Sequence, residues 1–98
     1  MINILIVDDH KLFRDGIHAL LAAHEGFHML EGLGNGRELI EALEQGTQPD
    51  VVLLDLTMPE MDGFEVLKMA KKKYPYIKFI AISMHDDGQY VSKCIRLG

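Results

Sequence analysis

Four short apolar segments predict the strands of this protein. Residues 4–7 and 51–54 are continuous runs of isoleucine, leucine and valine, residues 79–82 form a third apolar run, and residues 28–32 indicate a shorter strand. Continuous apolar runs of this length are typical of strands that are buried on both faces of a parallel sheet. The pattern therefore predicts a sheet that is covered on both sides.

Between these segments the apolar residues recur at helical spacing. We predict a first helix that ends near Gly26, a second over residues 37–45 that ends at Gly46, and a third that begins with a capping box between Asp62 and Glu65. A fourth helix is predicted from the spacing of Tyr90, Val91, Cys94, Ile95 and Leu97. Strict alternation of strand and helix, joined by right-handed crossovers, predicts an α/β doubly wound fold with a parallel sheet between two helical layers.

Three aspartates follow the longest of these strands. Asp8 and Asp9 end the first run, and Asp55 ends the run at residues 51–54. The carboxyl ends of parallel strands lie along one edge of a sheet, so we expect the three carboxylates to meet there. Clustered like charges repel one another unless a cation binds, and all-oxygen ligands suit Mg²⁺. The alternative is that each aspartate caps the helix that follows it.

Composition narrows the function further. At 98 residues the chain can form one domain, and its net charge of -5 argues against direct binding of nucleic acid by this segment. The single cysteine excludes an internal disulfide, and no apolar run approaches the length of a membrane span. The expected setting is the cytoplasm, with proteins or a cation as partners.

The glycine-rich segment at residues 32–36 lacks the spacing of a dinucleotide site and is predicted to be a turn.

The aspartates belong to a longer series of motifs. The pair Asp8-Asp9, the segment DLTMPEMDG at residues 55–63, and Ser83 after the strand at residues 79–82 occur in order along the whole chain. Together they resemble the receiver domain of bacterial two-component response regulators, of the NarL/FixJ-type subfamily. The resemblance implies the flavodoxin-like receiver fold, with sheet order 2-1-3-4-5.

The resemblance also implies roles for individual residues. Asp55 would be the phosphoacceptor, Asp9 and Asp55 would bind Mg²⁺ directly with the backbone carbonyl of Thr57, and Asp8 would act through a water molecule. The hydroxyl of Ser83 would contact the phosphoryl group and act as the switch. Thr57 and His85 would modulate the rate of hydrolysis. For the remaining histidines, which include His10, a solvated or satisfied position is expected.

By this resemblance residues 1–98 form one receiver domain, a signalling phosphoacceptor that assists its own phosphorylation and dephosphorylation rather than an enzyme. Its partner would be a sensor histidine kinase. Transcription regulation would occur through a DNA-binding output domain of the parent protein, because this sequence contains none. The family's fifth strand, its lysine and its fifth helix are also missing. We therefore expect a truncated sheet of order 2-1-3-4 with an exposed edge at residues 79–82. The chain would then self-associate through that edge and the uncovered apolar face, or be markedly less stable than a full receiver.

Two other functions compete with this one. A pseudo-receiver, which is a protein-interaction module that is not phosphorylated, would retain the fold without the lysine. Haloacid-dehalogenase-type phosphatases also phosphorylate an aspartate at a strand end, but they need a second acid two residues later, where this chain has Thr57. Formation of an acyl phosphate on Asp55 would separate the receiver from the interaction module.

Overall fold

The computed structural model describes residues 1–55, 63–82 and 95–97. The strands are β1 (Ile2–Val7), β2 (Phe27–Met29), β3 (Val51–Asp55), β4 (Lys78–Ile82) and β5 (Ile95–Leu97). The helices are α1 (Lys11–Ala22), α2 (Gly36–Glu44) and α3 (Gly63–Lys73). In this part of the chain no helix is long and apolar enough to cross a membrane.

The strands form one sheet in the order β2-β1-β3-β4-β5. The first four strands of that order run parallel, which confirms the predicted doubly wound sheet of order 2-1-3-4. Val7 of β1 pairs with Leu54 of β3, so these two central strands end side by side. This register determines which residues meet at the carboxyl edge of the sheet.

The strand β5 corrects one expectation from the sequence. Ile95 and Leu97, which we expected in a fourth helix, instead lie in a strand that pairs antiparallel with β4, with Phe79 opposite Leu97 and Ala81 opposite Ile95. The edge of β4 is therefore covered between Phe79 and Ala81, and self-association through a free β4 edge loses its structural basis there. The other residues of the expected helix lie outside the described residues: Tyr90, Val91 and Cys94.

The hydrophobic core lies on the face of the sheet where α2 and α3 pack. Side chains from β1, β3 and β4 meet those of the two helices in one cluster of buried residues: Leu5, Val7, Leu39, Leu43, Val52, Leu54, Val66, Leu67, Ala70, Ile77 and Phe79. Burial of a side chain of this size stabilises the fold by about 1.5–3 kcal/mol. Ile4 and Ile6, which alternate with Leu5 and Val7 along β1, are also buried, so the strand is covered on both faces as predicted.

The helix α1 is packed less closely than α2. None of its residues is buried, and Leu12 and Leu20 are 89% and 73% exposed. The helix α2 begins at the cap residue Asn35, whose side chain accepts a hydrogen bond from the Glu38 amide at 2.9 Å. Gly46 follows α2 with a φ of 100°, which is the left-handed conformation expected of a glycine after a helix.

At the amino end of the sheet, Asp50 connects three strands. Its amide donates to the Asn3 carbonyl at 2.8 Å, and its carboxylate accepts from the Asn3 amide at 2.8 Å. The Asp50 carbonyl accepts from the Lys78 amide at 3.0 Å. These bonds set the relative positions of β1, β3 and β4 at the end of the sheet opposite Asp55.

Candidate metal centre

Two buried carboxylates lie where the central strands end. Because Val7 pairs with Leu54, the next residues of the two strands, Asp8 and Asp55, come together at the carboxyl edge of the sheet. Their side chains are 2% and 1% exposed. Aspartate is seldom buried to this extent without a partner group, so the pair marks a specialised site.

Asp9 and His10 complete a cluster with this pair. Asp8, Asp9, His10 and Asp55 each offer one ligand atom, and these atoms all lie within 4.8 Å of one another. The Asp9 side chain is 29% exposed and that of His10 is 58% exposed, so the cluster opens to solvent on this side. The structure thus brings together the three aspartates that the sequence assigned to a metal site. The arrangement can hold a metal ion.

His10 is a member of the cluster that the sequence reasoning missed. Its Nδ1 lies 3.1 Å from Oδ1 of Asp9, 3.2 Å from Oδ1 of Asp8 and 3.8 Å from Oδ2 of Asp55. The signal in the sequence was its position directly after the acidic pair, at the N-cap of α1. Metal-ligand spacing is the pattern that marks a functional histidine in a sequence, and a hydrogen-bonding role for His10 leaves no such pattern.

The electrostatics of the cluster follow from burial and from like charge. Burial raises the pKa of Asp8 above its usual range, and the nearby Asp55 carboxylate raises it further, against the hydrogen bond from the His10 amide. The pKa of His10 is also raised, chiefly by the hydrogen bond to Asp8 and then by the charge of Asp9. The site therefore favours bound positive charge, whether from a proton or from a cation.

The main chain of Asp8 is held from two sides. Its amide donates to the carbonyl of Leu33 at 3.0 Å, and its carbonyl accepts from Nη1 of Arg14 at 2.9 Å. Arg14 was not among the residues singled out in the sequence. A polar residue near the start of a predicted helix gives no indication of which backbone group it reaches after folding.

The other predicted site residues are Thr57, Ser83 and His85. All three lie outside the described residues, so their assigned roles stay predictions. Residues 56–62, which include Asp62 of the predicted capping box, also lie outside the described residues.

Comparison with known proteins gives matches along nearly the whole chain. The sequence profile of the response regulator receiver domain matches residues 4–98. The transcriptional regulatory protein DegU of Brevibacillus brevis is 36% identical over 97 residues, which are 99% of this chain and 41% of DegU. The response regulator GacA of Pseudomonas viridiflava is 32% identical over 98 residues, which are 100% of this chain and 45% of GacA. The chain thus spans less than half the length of these two relatives.

Solved structures give the same result for the fold. RcsB from Salmonella enterica serovar Typhimurium, bound to promoter rprA in the presence of phosphomimetic BeF3-, has a TM-score of 0.79 and 27% identity, covering 88% of this chain and 72% of that one. A CheY-like receiver domain protein from Methanospirillum hungatei JF-1 has a TM-score of 0.78 and 29% identity, covering 87% of this chain and 66% of that one.

Proposed function

The chain belongs to the response regulator receiver family, and on this premise we propose that it is a phosphorylation switch that accepts a phosphoryl group on Asp55 in the presence of Mg²⁺. Receiver domains are signalling domains rather than classical enzymes. The observation that carries the proposal is the pairing of two buried carboxylates, Asp8 and Asp55, with Asp9 beside them at the carboxyl edge of the sheet.

The donor set fits Mg²⁺. Three carboxylates supply hard oxygen ligands, and their mutual repulsion favours a divalent cation. By resemblance, Asp9 and Asp55 would hold the ion directly with the backbone carbonyl of Thr57, and Asp8 would hold it through a water molecule. Bound Mg²⁺ supplies positive charge that offsets the repulsion between the carboxylates and an incoming phosphoryl group.

The transfer itself uses one oxygen of Asp55. That oxygen forms a bond to phosphorus as the bond from phosphorus to the donor's histidine nitrogen breaks, and the electron pair of the broken bond stays on the imidazole. The product is an acyl phosphate. Ser83 would donate a hydrogen bond to the phosphoryl group and couple it to the following segment, while Thr57 and His85 would set the rate of hydrolysis.

The partners follow from this function. A sensor histidine kinase would supply the phosphoryl group, and the switch would act in the cytoplasm. DegU and GacA are named as regulators, and RcsB was solved bound to a promoter. We propose that residues 1–98 are the receiver part of such a protein and that DNA is bound by an output domain rather than by this acidic segment. Neither the pseudo-receiver nor the haloacid-dehalogenase alternative is favoured by a specific observation.

Phosphorylation by a small donor tests the proposal. The chain is incubated with acetyl phosphate or phosphoramidate, with and without Mg²⁺, and the adduct is mapped by mass spectrometry. We expect one adduct, on Asp55, that requires Mg²⁺ and is absent in Asp55→Asn. Asp15→Asn is the matched control, since Asp15 is exposed on α1 and pairs with Lys11 at 3.0 Å. A label on a histidine or on Ser83 would contradict the mechanism, and no label at all would favour the pseudo-receiver.

A further inference from the structure

We propose that Arg14 is a positioning residue for the acidic cluster, and that the glycine-rich segment at residues 32–34 serves to admit its side chain. This inference rests on the proposed function, because the property that Arg14 would maintain is the binding of Mg²⁺ by Asp8, Asp9 and Asp55. Among the described residues, Arg14 donates to the main-chain carbonyl of Asp8 and not to its carboxylate. It acts through the main chain.

The first observation is the bond between Arg14 and Asp8. Nη1 of Arg14 donates to the carbonyl oxygen of Asp8 at 2.9 Å, in a partly buried position. That carbonyl belongs to the peptide unit between Asp8 and Asp9, so its orientation determines how the two side chains diverge. A hydrogen bond from a charged donor is about twice as strong as a neutral one. Arg14 therefore fixes the geometry of two adjacent ligands with one contact.

The second observation concerns Gly32. A Cβ atom added there would lie 2.9 Å from Cδ and 3.2 Å from Nε of Arg14, closer than side chains normally pack. At Gly34 an added Cβ would lie 3.4 Å from Nη1 of the same arginine. The arginine thus lies against the glycine segment along much of its length, and any larger residue at position 32 would displace it.

Backbone conformation does not explain these glycines. Of the glycines that the structure describes, Gly46 is the one with a positive φ, so neither Gly32 nor Gly34 needs the left-handed region. At residue 32 the close approach of Arg14 explains the missing side chain, since an added Cβ would lie 2.9 Å from its Cδ. The same segment also supplies the Leu33 carbonyl that accepts the Asp8 amide. It therefore supports Asp8 twice, directly and through Arg14.

The direction of the change in Mg²⁺ affinity distinguishes a positioning role of Arg14 from a purely electrostatic one. If Arg14 acted only as a positive charge near the site, its removal would reduce repulsion and Mg²⁺ would bind more tightly. If Arg14 positions Asp8 and Asp9, its removal weakens Mg²⁺ binding despite the lower repulsion. Gly32→Ala separates these two roles of Arg14 further, because it moves the guanidinium group without changing any charge.

The experiment compares Arg14→Gln, Arg14→Lys, Gly32→Ala and the control Gly16→Ala with the natural chain. Gly16 lies in α1, and an added Cβ there meets nothing within 4 Å. Mg²⁺ alone is titrated by calorimetry. In the metal-free protein, NMR records the chemical shifts of the Asp8 carbonyl carbon and the Asp9 amide nitrogen. Thermal unfolding confirms that each variant is folded.

We expect Arg14→Gln and Gly32→Ala to weaken Mg²⁺ binding by about 10-fold or more, as is usual when a residue that orients a metal ligand is lost. Both should shift the Asp8 and Asp9 signals, Arg14→Lys should recover part of the affinity, and Gly16→Ala should match the natural chain. Tighter or unchanged binding in Arg14→Gln, or unchanged signals in both variants, would overturn the inference. If Gly32→Ala does not fold, the comparison of Arg14→Gln with Arg14→Lys carries the test.

The experiment also distinguishes failure of the proposed Mg²⁺ binding from failure of the positioning role of Arg14. If the natural chain binds no Mg²⁺, the metal-binding part of the proposal is wrong for this protein. The metal-free NMR signals still test whether Arg14 and Gly32 hold the peptide unit between Asp8 and Asp9. Unchanged signals in that case would overturn the positioning role as well.

Discussion

His10 contacts the same oxygen of Asp8 twice, through its main-chain amide at 2.7 Å and through Nδ1 of its ring at 3.2 Å. The amide contact fixes the Asp8 carboxylate whatever the charge on the ring. The ring contact responds to protonation, because a protonated imidazole donates at Nδ1 and carries a charge opposite to that of the cluster. When its ring is protonated, His10 supplies the positive charge among the four residues of this cluster.

The first prediction is a pH dependence of stability that depends on His10. The folded-state pKa of His10 is raised above its unfolded value of 6.5. A group of this kind stabilises the fold fully below its unfolded pKa, and the stabilisation is lost as the pH rises through the folded pKa. Thermal unfolding in a metal chelator should therefore show the natural chain more stable than His10→Gln below pH 6.5, with the difference shrinking at higher pH. A difference that grows with pH would contradict this account of His10.

The second prediction concerns Asp8→Asn. The raised pKa of Asp8 means that its charged form is disfavoured in the folded state, so removal of the charge should stabilise the metal-free protein at neutral pH. Asparagine retains an oxygen that can accept the His10 amide. We expect a gain of about 1 kcal/mol, which corresponds to about 4 to 8 °C in the unfolding temperature of a domain of this size.

The gain should shrink at acid pH, where Asp8 itself becomes protonated in the folded state. Asp15→Asn is the control, and an exposed substitution of this type should change stability by less than about 0.5 kcal/mol. A lower unfolding temperature for Asp8→Asn at neutral pH would show that the Asp8 carboxylate has a stabilising partner besides His10.

The third prediction is that Asp9→Asn weakens Mg²⁺ binding and leaves the fold intact. Asp9 is the most exposed of the three aspartates, so its substitution disturbs the core least while it removes one formal charge from the proposed ligand set. We expect a loss of about 10-fold in affinity, or ~1.4 kcal/mol. Titration of the folded variant with Mg²⁺ measures this. Unchanged affinity would remove Asp9 from the proposed site.

The fourth prediction tests the cap of α2. Asn35→Ala removes the acceptor of the Glu38 amide and should cost about 1 kcal/mol of folding free energy. Chemical denaturation measures the loss, and calorimetry should show Mg²⁺ affinity unchanged because Asn35 is not among the four residues of the cluster. A change in affinity equal to the change in stability would mean that the cap and the cluster are coupled.

The sequence predicted the sheet because its strands are continuous apolar runs, a pattern determined locally by each segment. The meeting of Asp8 with Asp55 was also predictable, because parallel strands end along a common edge. The strand at Ile95–Leu97 was not, since three residues fit both strand alternation and helical spacing. Its pairing with β4, the preceding strand, is a tertiary contact that only the folded chain selects.

The contacts of His10 and Arg14 were beyond prediction for a related reason. Both residues lie at or near the start of α1, and both reach Asp8 because the chain turns back over the end of β1. That turn is a property of the tertiary fold. Gly32 was predicted to lie in a turn, but its close contact with Arg14 depends on the same tertiary arrangement.

The hydrogen bonds of Asp50 keep the strand register independent of the charge of the acidic cluster. They join β1, β3 and β4 at the far end of the sheet from the acidic cluster, and a slip of one residue in β3 would break them and turn its core side chains to the opposite face. The strand register is therefore fixed at one end of the sheet, and the titratable cluster lies at the other end. We therefore expect a change in the charge of Asp8, Asp9 or His10 to leave the strand pairing at the Asp50 end intact.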